Sequence, residues 1–516
     1  PKGVSADRKA PCVLGLCGHA PEGKAAPFYQ SFAQGLTLKG FVVFIIDPIA
    51  QGERQQYFAR GDGSSTAGVR AHDLLGHSMV LVDDFFGAWR AWDAIRGLDY
   101  LMSRPEVDHR RIGVTGNSGG GTLTTYVSAL DPRPTMAAPS CYICSYLANL
   151  QNELTSDAEQ NPPGILAAGL DQGDMLLCHA PRPTLILGQQ DDFFDERSAR
   201  AAAEDVKRVH ALLGSHGSAG VFIGTHGHGF YPENREAMYG FFLKHAGLKG
   251  SAREIGVKAV APECVNVLGQ GGIRSTDSRR VFEFTADTAR RLRRKRGRPD
   301  LRQVRSAASR LLNITLPRNP PFYRALRREE PLGKGVTIRG QYAVETEPGI
   351  LALVTGFGQP RPFSHPPAGR VCLYVGHSSG KDDILNIPEI RTLASGRIPL
   401  LAVDPRGMGQ SRCQSCRSVS TFDPLRSDDL YAAAGEMLGE SYLGRRVFDV
   451  LRTVDFLRAG GATDWRMSGM DSISSRNSVP PLACSMRPMR RLAAPVKAPA
   501  SWPQLSLSNT ESGSAP

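Results

Sequence analysis

The segment RIGVTGNSGGGT, residues 111–122, constrains the fold more than any other part of the chain. An apolar β-branched run leads directly into Gly116-Asn117-Ser118-Gly119-Gly120, and the helix-compatible stretch TLTTYVSAL follows. A strand that turns sharply into a helix needs glycines on both sides of the turn, because the neighbouring backbone passes without room for a Cβ atom. The spacing therefore predicts that Ser118 lies on such a turn, with its hydroxyl presented above a sheet.

Short apolar runs alternate with longer helix-patterned stretches from Cys12 to about Lys249, which is typical of a mostly parallel sheet covered by helices on both faces. We predict these strands: Val13–Leu16, Phe41–Ile46, Arg111–Thr115, Met136–Tyr142, Thr184–Leu187 and Gly220–Ile223. One apolar helix face is predicted from residues that recur every three positions: Trp89, Trp92, Ile95 and Leu98. The segment SCYICSYL, which contains Cys141 and Cys144, is interpreted as buried strand.

A serine hydroxyl is a weak nucleophile at neutral pH and needs a general base that an acid holds in place. In a sheet of this kind the acid and then the histidine are expected on loops after later strands. The first loop, GQQDDFFDER, offers Asp191 and Asp192, between which the spacing does not decide. The second loop, GTHGHGF, offers His226 and His228. We prefer His228, because the glycine that follows it leaves an unobstructed turn, and His226 is the alternative.

The oxyanion formed by attack on a carbonyl needs two backbone N–H donors. We expect one from Gly119 and the other from the loop GLCGHAPEGK, near His19 or Ala20. Asp157 and Glu159 in SDAEQ are candidates for the acyl or sugar site, with ordinary surface charge as the alternative.

Other polar residues near these loops are given structural interpretations. The histidines of AHDLLGHS, His72 and His77, lie in an insertion that could border the pocket, but their spacing shows no metal-ligand geometry. For Asp47 and its neighbours in DPIAQGER we favour a tight turn with an ion pair over a catalytic role.

The same pattern returns in the second half of the chain. In both halves a Gly-His pair precedes an aspartate, a glycine follows that aspartate by five residues, and a helix carries two aspartates six residues apart. The matching residues are Gly18, His19, Asp47, Gly52, Asp93 and Asp99 in the first half and Gly376, His377, Asp404, Gly409, Asp449 and Asp455 in the second. This register predicts two copies of one fold.

The second copy is predicted to lack the serine turn. Ser474 stands at the distance that matches Ser118, but we find neither an apolar strand nor a Gly-x-Ser-x-Gly motif in the region after Leu457. From about Trp465 onward the chain is rich in Ser, Pro, Met and Arg, which predicts disorder. The abrupt change suggests a reading-frame shift or a truncated gene, a hypothesis that an unbroken frame across codons 462–466 would exclude.

At 516 residues the chain is too long for one hydrophobic core. We predict an α/β catalytic domain over residues 1–250, a basic connector with helices over 251–330, a partial second domain over 331–463, and a disordered or frame-shifted tail over 464–516. The net charge of +12 is concentrated between Arg290 and Arg298 and in the tail, and we interpret the first cluster as a solvated helix face or linker.

Composition excludes several classes of protein. The longest apolar run, Phe41–Ile46, is too short to span a bilayer, so we expect no membrane partner. We also expect no nucleic-acid partner. Two Cys-x-x-Cys pairs, Cys141/Cys144 and Cys413/Cys416, lack partners at zinc-finger spacing, so no metal is expected. The oligomeric state and the compartment stay open, and a secreted or periplasmic location is compatible with the sequence.

Several motifs together resemble acetyl xylan esterases, a group of α/β-hydrolases related to dienelactone hydrolases. They are GHAPEGK, DPIAQGER, DYLMSRPEVDHRRIGVTGNSGGGT, DAEQ, DDFFDER and HGHGF. The resemblance covers about half of the chain well and residues 331–463 in outline. It implies an α/β-hydrolase fold with Ser118 as the nucleophile, Asp192 before Phe-Phe as the acid, and His228 before Gly-aromatic as the base. Ala50 departs from the pattern, since a turn glycine is usual there.

The resemblance also implies an activity, which is deacetylation of xylose units or of related carbohydrate esters without a metal or organic cofactor. The expected partner is accordingly a small-molecule or polysaccharide ester. The same three residues could instead serve a glucuronoyl ester, a lactone or a peptide. An alternative from another class is a carbohydrate-binding or scaffold protein whose triad is vestigial.

Overall fold

The computed structural model describes residues 1–468, with gaps at 59–64, 155, 327–328, 359–363, 377–378 and 413–425, together with residues 484–485. The chain divides into two compact units, one of Pro1–Pro317 with Arg412–Phe448 and one of Arg318–Ser411 with Asp449–Pro516. This division differs from the one drawn on the sequence, because the basic connector and residues 412–448 group with the first unit. Within the described ranges, every helix is too short or too polar to cross a lipid bilayer.

Both units combine strands with helices. The strands before residue 318 are β1 (Ala10–Leu16), β2 (Val42–Ile46), β3 (Tyr57–Phe58), β4 (Ser65–Thr66), β5 (Val107–Asn117), β6 (Met136–Ser140), β7 (Thr184–Asp191) and β8 (Ala219–Gly227). The later strands are β9 (Tyr323–Leu326), β10 (Glu330–Gly333), β11 (Val336–Glu347), β12 (Ile350–Phe357), β13 (Gly369–Val375), β14 (Leu400–Asp404), β15 (Ala462–Ser468) and β16 (Cys484–Ser485). The helices are α1 (Pro27–Leu38), α2 (Val69–Val80), α3 (Phe86–Ser103), α4 (Gly119–Leu130), α5 (Tyr146–Gln151), α6 (Gln172–Leu177), α7 (Glu196–Leu212), α8 (Pro232–His245), α9 (Val281–Arg296), α10 (Leu301–Leu311), α11 (Gly380–Asn386), α12 (Pro388–Ala394), α13 (Arg426–Met437) and α14 (Tyr442–Ala459).

The main sheet of the first unit is parallel, in the order β2-β1-β5-β6-β7-β8. Helices α1 and α8 pack on one face through Phe32 and Phe242, and α3 and α4 pack on the other through Leu98 and Val127. This is the α/β-hydrolase fold, and all six predicted strands are confirmed. Because the strands are parallel, the loops after β1, β5, β7 and β8 leave from one edge of the sheet.

Two local predictions on this unit are wrong. Strand β6 ends at Ser140, so SCYICSYL does not continue as strand, although both of its cysteines are buried. Cys141 has a φ of 51°, a left-handed conformation that extended backbone cannot contain. In α3, Trp92 is exposed and the buried face carries Ala94 and Leu98. A repeat of exactly three residues drifts around a helix of 3.6 residues per turn, and so leaves the buried face.

The sheet of the second unit has the order β10-β11-β12-β14-β13-β15-β16, with β9 beside β11. Its strand β13 lies parallel between β14 and β15, as β1 lies between β2 and β5 in the first sheet. A strand, β15, does follow Leu457 and pairs with β13 over residues 462–468, although its sequence ATDWRMS is not an apolar run. Ser474, His377 and the pair Cys413/Cys416 lie outside the described residues. So does most of the tail that is predicted to be disordered, but residues 464–468 and 484–485 of that tail are described and belong to β15 and β16.

A strand-end aspartate has the same hydrogen-bonding role in both units. Asp47, after β2, accepts the N–H of Glu53 at 3.1 Å, and Asp404, at the end of β14, accepts the N–H of Gln410 at 3.0 Å. The glycine five residues after each aspartate has a positive φ, 53° in the first unit and 49° in the second. The loops that follow these two strands therefore fold alike, as the shared spacing in the sequence predicts.

Candidate active site

Ser118 lies on a sharp turn between β5 and α4, with a φ of 58° and a ψ of −123°. Such a conformation is strained for a residue with a Cβ, and it persists where the surroundings hold it. The Ser118 N–H donates to the Ser140 carbonyl on β6 at 2.9 Å. Cβ atoms built on Gly116 and Gly120 would lie 2.2 and 2.1 Å from the Leu16 carbonyl oxygen, so these two positions admit only glycine. The strand, turn and helix predicted from the spacing are all present.

Asp192 and His228 form a hydrogen-bonded pair on the loops after β7 and β8. His228 Nδ1 lies 2.9 and 3.1 Å from the two carboxylate oxygens of Asp192. An ionised carboxylate only accepts, so Nδ1 carries the proton and Nε2 is left as an acceptor. The Asp192 side chain is 1% exposed and also accepts the Phe194 N–H at 3.1 Å. This arrangement orients an imidazole for work as a general base.

The alternative candidates, Asp191 and His226, differ from the Asp192–His228 pair in exposure and contacts. Asp191 is the last residue of β7 and is exposed. His226 is half exposed, donates through Nδ1 to Glu233 at 2.9 Å, and stacks on Tyr231 with ring centroids 4.4 Å apart. The spacing leaves the choice between the two aspartates open. The geometry favours Asp192, because Asp192 is the one that contacts His228.

Phe193 carries no role in the sequence motifs, yet its ring stacks on His228 with centroids 4.2 Å apart and planes 27° from parallel. The residue is 49% exposed, and its ring covers one face of the imidazole. A stacked ring restricts rotation of the imidazole about its side-chain bonds. Nothing in the sequence distinguishes this phenylalanine from an ordinary core residue.

Cys141 lies beside the acid and the base rather than in a strand. Its Sγ, an Asp192 carboxylate oxygen and a His228 ring nitrogen all lie within 4.8 Å of one another. Burial, and then the charge of Asp192, raise the pKa of the Cys141 thiol to about 12. A cysteine that binds a metal does so as a thiolate. Metal binding to this thiol would have to displace its proton against that raised pKa.

A buried charged cluster lies beside the serine turn. His19 Nε2 lies 3.0 Å from carboxylate oxygens of both Asp157 and Glu159. A Cβ built on Gly119 would lie 2.7 Å from His19 Nε2, so the imidazole lies directly against the turn. Asp157 and Glu159 are 3% and 0% exposed, and neither is the surface charge that was the alternative for them. They contact His19 rather than open solvent.

His72 and Arg90 complete the cluster, and the sequence motifs point to neither of them as members. His72 Nδ1 lies 2.7 Å from Asp157 Oδ2, and the buried Arg90 guanidinium pairs with Glu159. Burial lowers the pKa of Arg90 to about 10, so the guanidinium is still charged at neutral pH. Burial lowers the pKa of His72 to about 4, so its imidazole is neutral there. No local spacing connects α2 and α3 with the DAEQ turn, so the sequence carries no signal for these contacts.

Four members of this cluster offer metal-ligating atoms: His19, His72, Asp157 and Glu159, whose donor atoms lie within 4.8 Å of one another. Imidazole and carboxylate groups are common ligands of divalent transition metals. The Arg90 guanidinium, however, places a fixed positive charge in the same buried group. Such a charge opposes a cation and already neutralises one carboxylate. We therefore attribute the cluster to hydrogen bonding that holds His19 against the turn.

The predicted oxyanion donors differ in whether their backbone N–H groups already donate a hydrogen bond. The Ala20 N–H donates to the Gly18 carbonyl at 2.9 Å. The N–H groups of Gly119 and His19 have no acceptor within the part of the chain that the structure describes. These two amides, one on each side of the turn, are thus the ones available for a developing negative charge.

Comparison with known proteins gives a family match for the N-terminal part of the chain. Residues 4–161 match the model of the acetyl xylan esterase family, AXE1. The match contains Ser118, His19, Asp157 and Glu159 but ends before Asp192 and His228. A protein of Bacillus subtilis (strain 168) whose name describes it as a hydrolase, YtaP, is 31% identical over 111 residues, which is 22% of this chain and 33% of that protein.

Solved structures with similarity to this chain include esterases. Methylesterase BT1017 is 23% identical with a TM-score of 0.42 and is matched over 54% of this chain and 59% of its own. An acetyl xylan esterase from Paenibacillus sp. R4 is 21% identical with a TM-score of 0.32, over 46% of this chain and 75% of its own. The chain thus spans about a third of YtaP and about three fifths of the methylesterase. The resemblance to the acetyl xylan esterase family that the motifs predict is thereby confirmed over residues 4–161.

Proposed function

We propose that the first unit hydrolyses carboxylic esters of carbohydrates, with Ser118 as the nucleophile, His228 as the general base and Asp192 as the acid that orients it. The observation that carries the proposal is the Asp192–His228 pair, joined at 2.9 Å with Nε2 of the imidazole left as an acceptor. The two residues of this pair lie on the loops after β7 and β8. The carboxyl ends of these strands lie at the same sheet edge as the strained Ser118 turn.

The proposed reaction has two displacement steps. His228 Nε2 takes the Ser118 hydroxyl proton while Oγ attacks the ester carbonyl, and the N–H groups of Gly119 and His19 receive the oxyanion. As the C–O bond to the alcohol breaks, the imidazolium returns the proton to the leaving oxygen. Water, deprotonated by the same imidazole, then attacks the acyl–Ser118 ester, and the imidazolium returns this proton to Ser118 Oγ as the carboxylic acid is released. Asp192 stays ionised throughout and stabilises the imidazolium.

Acetylated xylan is the substrate we propose first, because the family that residues 4–161 match is that of acetyl xylan esterases. Specificity depends on loop shape rather than on the triad, so the acyl group and the sugar are the finer part of the proposal. The second unit is proposed to be a non-catalytic copy of the fold. Its shared strand order and its Asp404 loop support this assignment.

The experiment combines active-site labelling with an ester panel on the full chain. A fluorophosphonate probe should label the wild-type protein and not Ser118→Ala. Ser128→Ala is the matched control, because Ser128 is a buried serine on α4, the helix that follows the Ser118 turn. Hydrolysis of acetylated xylan, short-chain aryl esters and a methyl glucuronate ester should be lost with Ser118→Ala alone. A folded wild-type protein that is neither labelled nor active would overturn the proposal and favour the carbohydrate-binding alternative.

A further inference from the structure

The dipeptide Ser140-Cys141, at the end of β6, contacts the turn that carries Ser118, the strand that precedes the Asp192 loop, and the loop that carries His228. The Ser140 carbonyl accepts the Ser118 N–H at 2.9 Å, and the Cys141 N–H donates to the Leu187 carbonyl on β7 at 2.8 Å. Cys141 Sγ lies 3.4 Å from the Gly229 carbonyl oxygen, in the loop after β8. One dipeptide thus connects the nucleophile turn, the acid strand and the base loop.

The backbone of Cys141 is strained at this point. Its φ of 51° lies in the left-handed region, which is strained for a residue with a side chain and which glycine adopts more easily. The residue is nonetheless buried, with 1% of its surface exposed. Its side chain makes the contact to the base loop, which a glycine could not make. The strain is therefore accompanied by a contact that depends on the side chain.

The chemistry of a buried thiol suits this place. Cys141 stays protonated at neutral pH, so its S–H can donate weakly to the Gly229 carbonyl. An uncharged group close to both Asp192 and His228 does not compete for the proton that these two share.

We propose that Cys141 is a positioning residue of the esterase site, which holds the Gly229 carbonyl and through it keeps the His228 imidazole aligned between Asp192 and Ser118. The inference rests on the proposed function and adds a residue that acts through the base loop. Cys141 touches no reacting atom, so its removal should slow the chemical step and leave substrate binding unchanged.

The test compares Cys141→Ala and Cys141→Ser with Cys144→Ala in the full chain. Cys144 is equally buried, at 2%, and lies in the same segment, but it is not part of the group around His228. Cys141→Ala should lower kcat about tenfold with KM unchanged. Cys141→Ser keeps a donor, and should stay within about threefold of wild type. Cys144→Ala should leave kcat unchanged even if it lowers the melting temperature.

A second readout does not depend on turnover. The proton on His228 Nδ1, which lies in the hydrogen bond to Asp192, gives a proton NMR signal that His228→Gln identifies by its loss. We expect this signal to shift or broaden in Cys141→Ala and to persist in Cys141→Ser and Cys144→Ala. An unchanged signal in folded Cys141→Ala, or an equal loss of kcat in Cys144→Ala, would overturn the positioning role. If the wild type proves inactive, the esterase proposal fails, and with it the role of Cys141 in turnover, whereas the NMR comparison still decides whether Cys141 aligns His228.

Discussion

His228 and Asp192 face each other through a single imidazole nitrogen, with Nδ1 at 2.9 and 3.1 Å from the two oxygens of one buried carboxylate. Both oxygens are within reach of the same N–H, so small rotations of either side chain do not break the contact. The Phe193 ring restricts the imidazole further by stacking on one of its faces. These contacts therefore hold the imidazole in one orientation, with Nε2 left as an acceptor.

Replacing Asp192 by asparagine should reduce kcat by roughly 10³- to 10⁴-fold, because the amide can donate to Nδ1 and so favour the tautomer in which Nε2 carries the proton. Steady-state hydrolysis of an aryl acetate measures the loss. Asp191→Asn is the matched control, since Asp191 is exposed at the end of β7 and should keep activity within about threefold. Equal losses in the two variants would show that the acid has been assigned to the wrong residue.

The two histidines of the HGHGF loop should respond differently to the same substitution. His228→Gln removes the proposed general base and should abolish turnover without unfolding the protein. His226→Gln removes an exposed contact with Glu233 and the stacking on Tyr231, both away from the proposed triad, so its activity should stay near wild type. Circular dichroism on both variants checks the fold. Activity that survives in His228→Gln and is lost in His226→Gln would reverse the assignment of the base.

Glu159→Gln should destabilise the first unit strongly, because it removes the carboxylate that pairs with the buried Arg90 guanidinium. Breaking one partner of a buried ion pair costs about 3–5 kcal/mol of unfolding free energy. Urea denaturation followed by tryptophan fluorescence measures this change. Glu233→Gln is the control, and should cost less than about 1 kcal/mol, since its partner His226 is half exposed. A cost for Glu159→Gln as small as that of the control would contradict the role given to the pair.

Asp73 on α2 should make stability depend on pH. Burial, and then the charge of Asp157, raise the pKa of Asp73 to about 8, whereas the group titrates at about 4 in the unfolded chain. The folded state then holds a proton that the unfolded state has lost, so stability should decrease as pH rises from about 4 to about 8, by up to about 1.4 kcal/mol per pH unit. Asp73→Asn removes this contribution and keeps an acceptor for the Ala158 N–H.

The measurement is the unfolding free energy of wild type and of Asp73→Asn at several pH values. The advantage of the variant should grow across that range and level off above a pH of about 8. A difference between the two proteins that is constant with pH would mean that Asp73 is ionised in the folded state.

The parts of this fold that were predictable are those encoded by local patterns. The strands and the Ser118 turn follow from apolar runs and glycine spacing within a few residues, and both are present. The contacts of Arg90 and His72 could not be predicted, because their partners are brought to them by crossover connections between strands and helices. Cys141 was misplaced for a related reason. The sequence stays apolar past Ser140, whereas the backbone φ becomes positive at Cys141. The composition of the segment does not indicate that change.

The glycines at 116 and 120 have a consequence for how this domain tolerates substitution. Each lies so close to the Leu16 carbonyl that any side chain would have to displace the neighbouring strand. A mutational scan scored only for protein abundance should therefore mark both positions as intolerant, while the serine between them tolerates exchange for alanine. The proposed catalysis should therefore be lost by exchanging Ser118 alone while the fold of the turn stays intact. Exchanging either glycine should instead disrupt the turn and the proposed catalysis together.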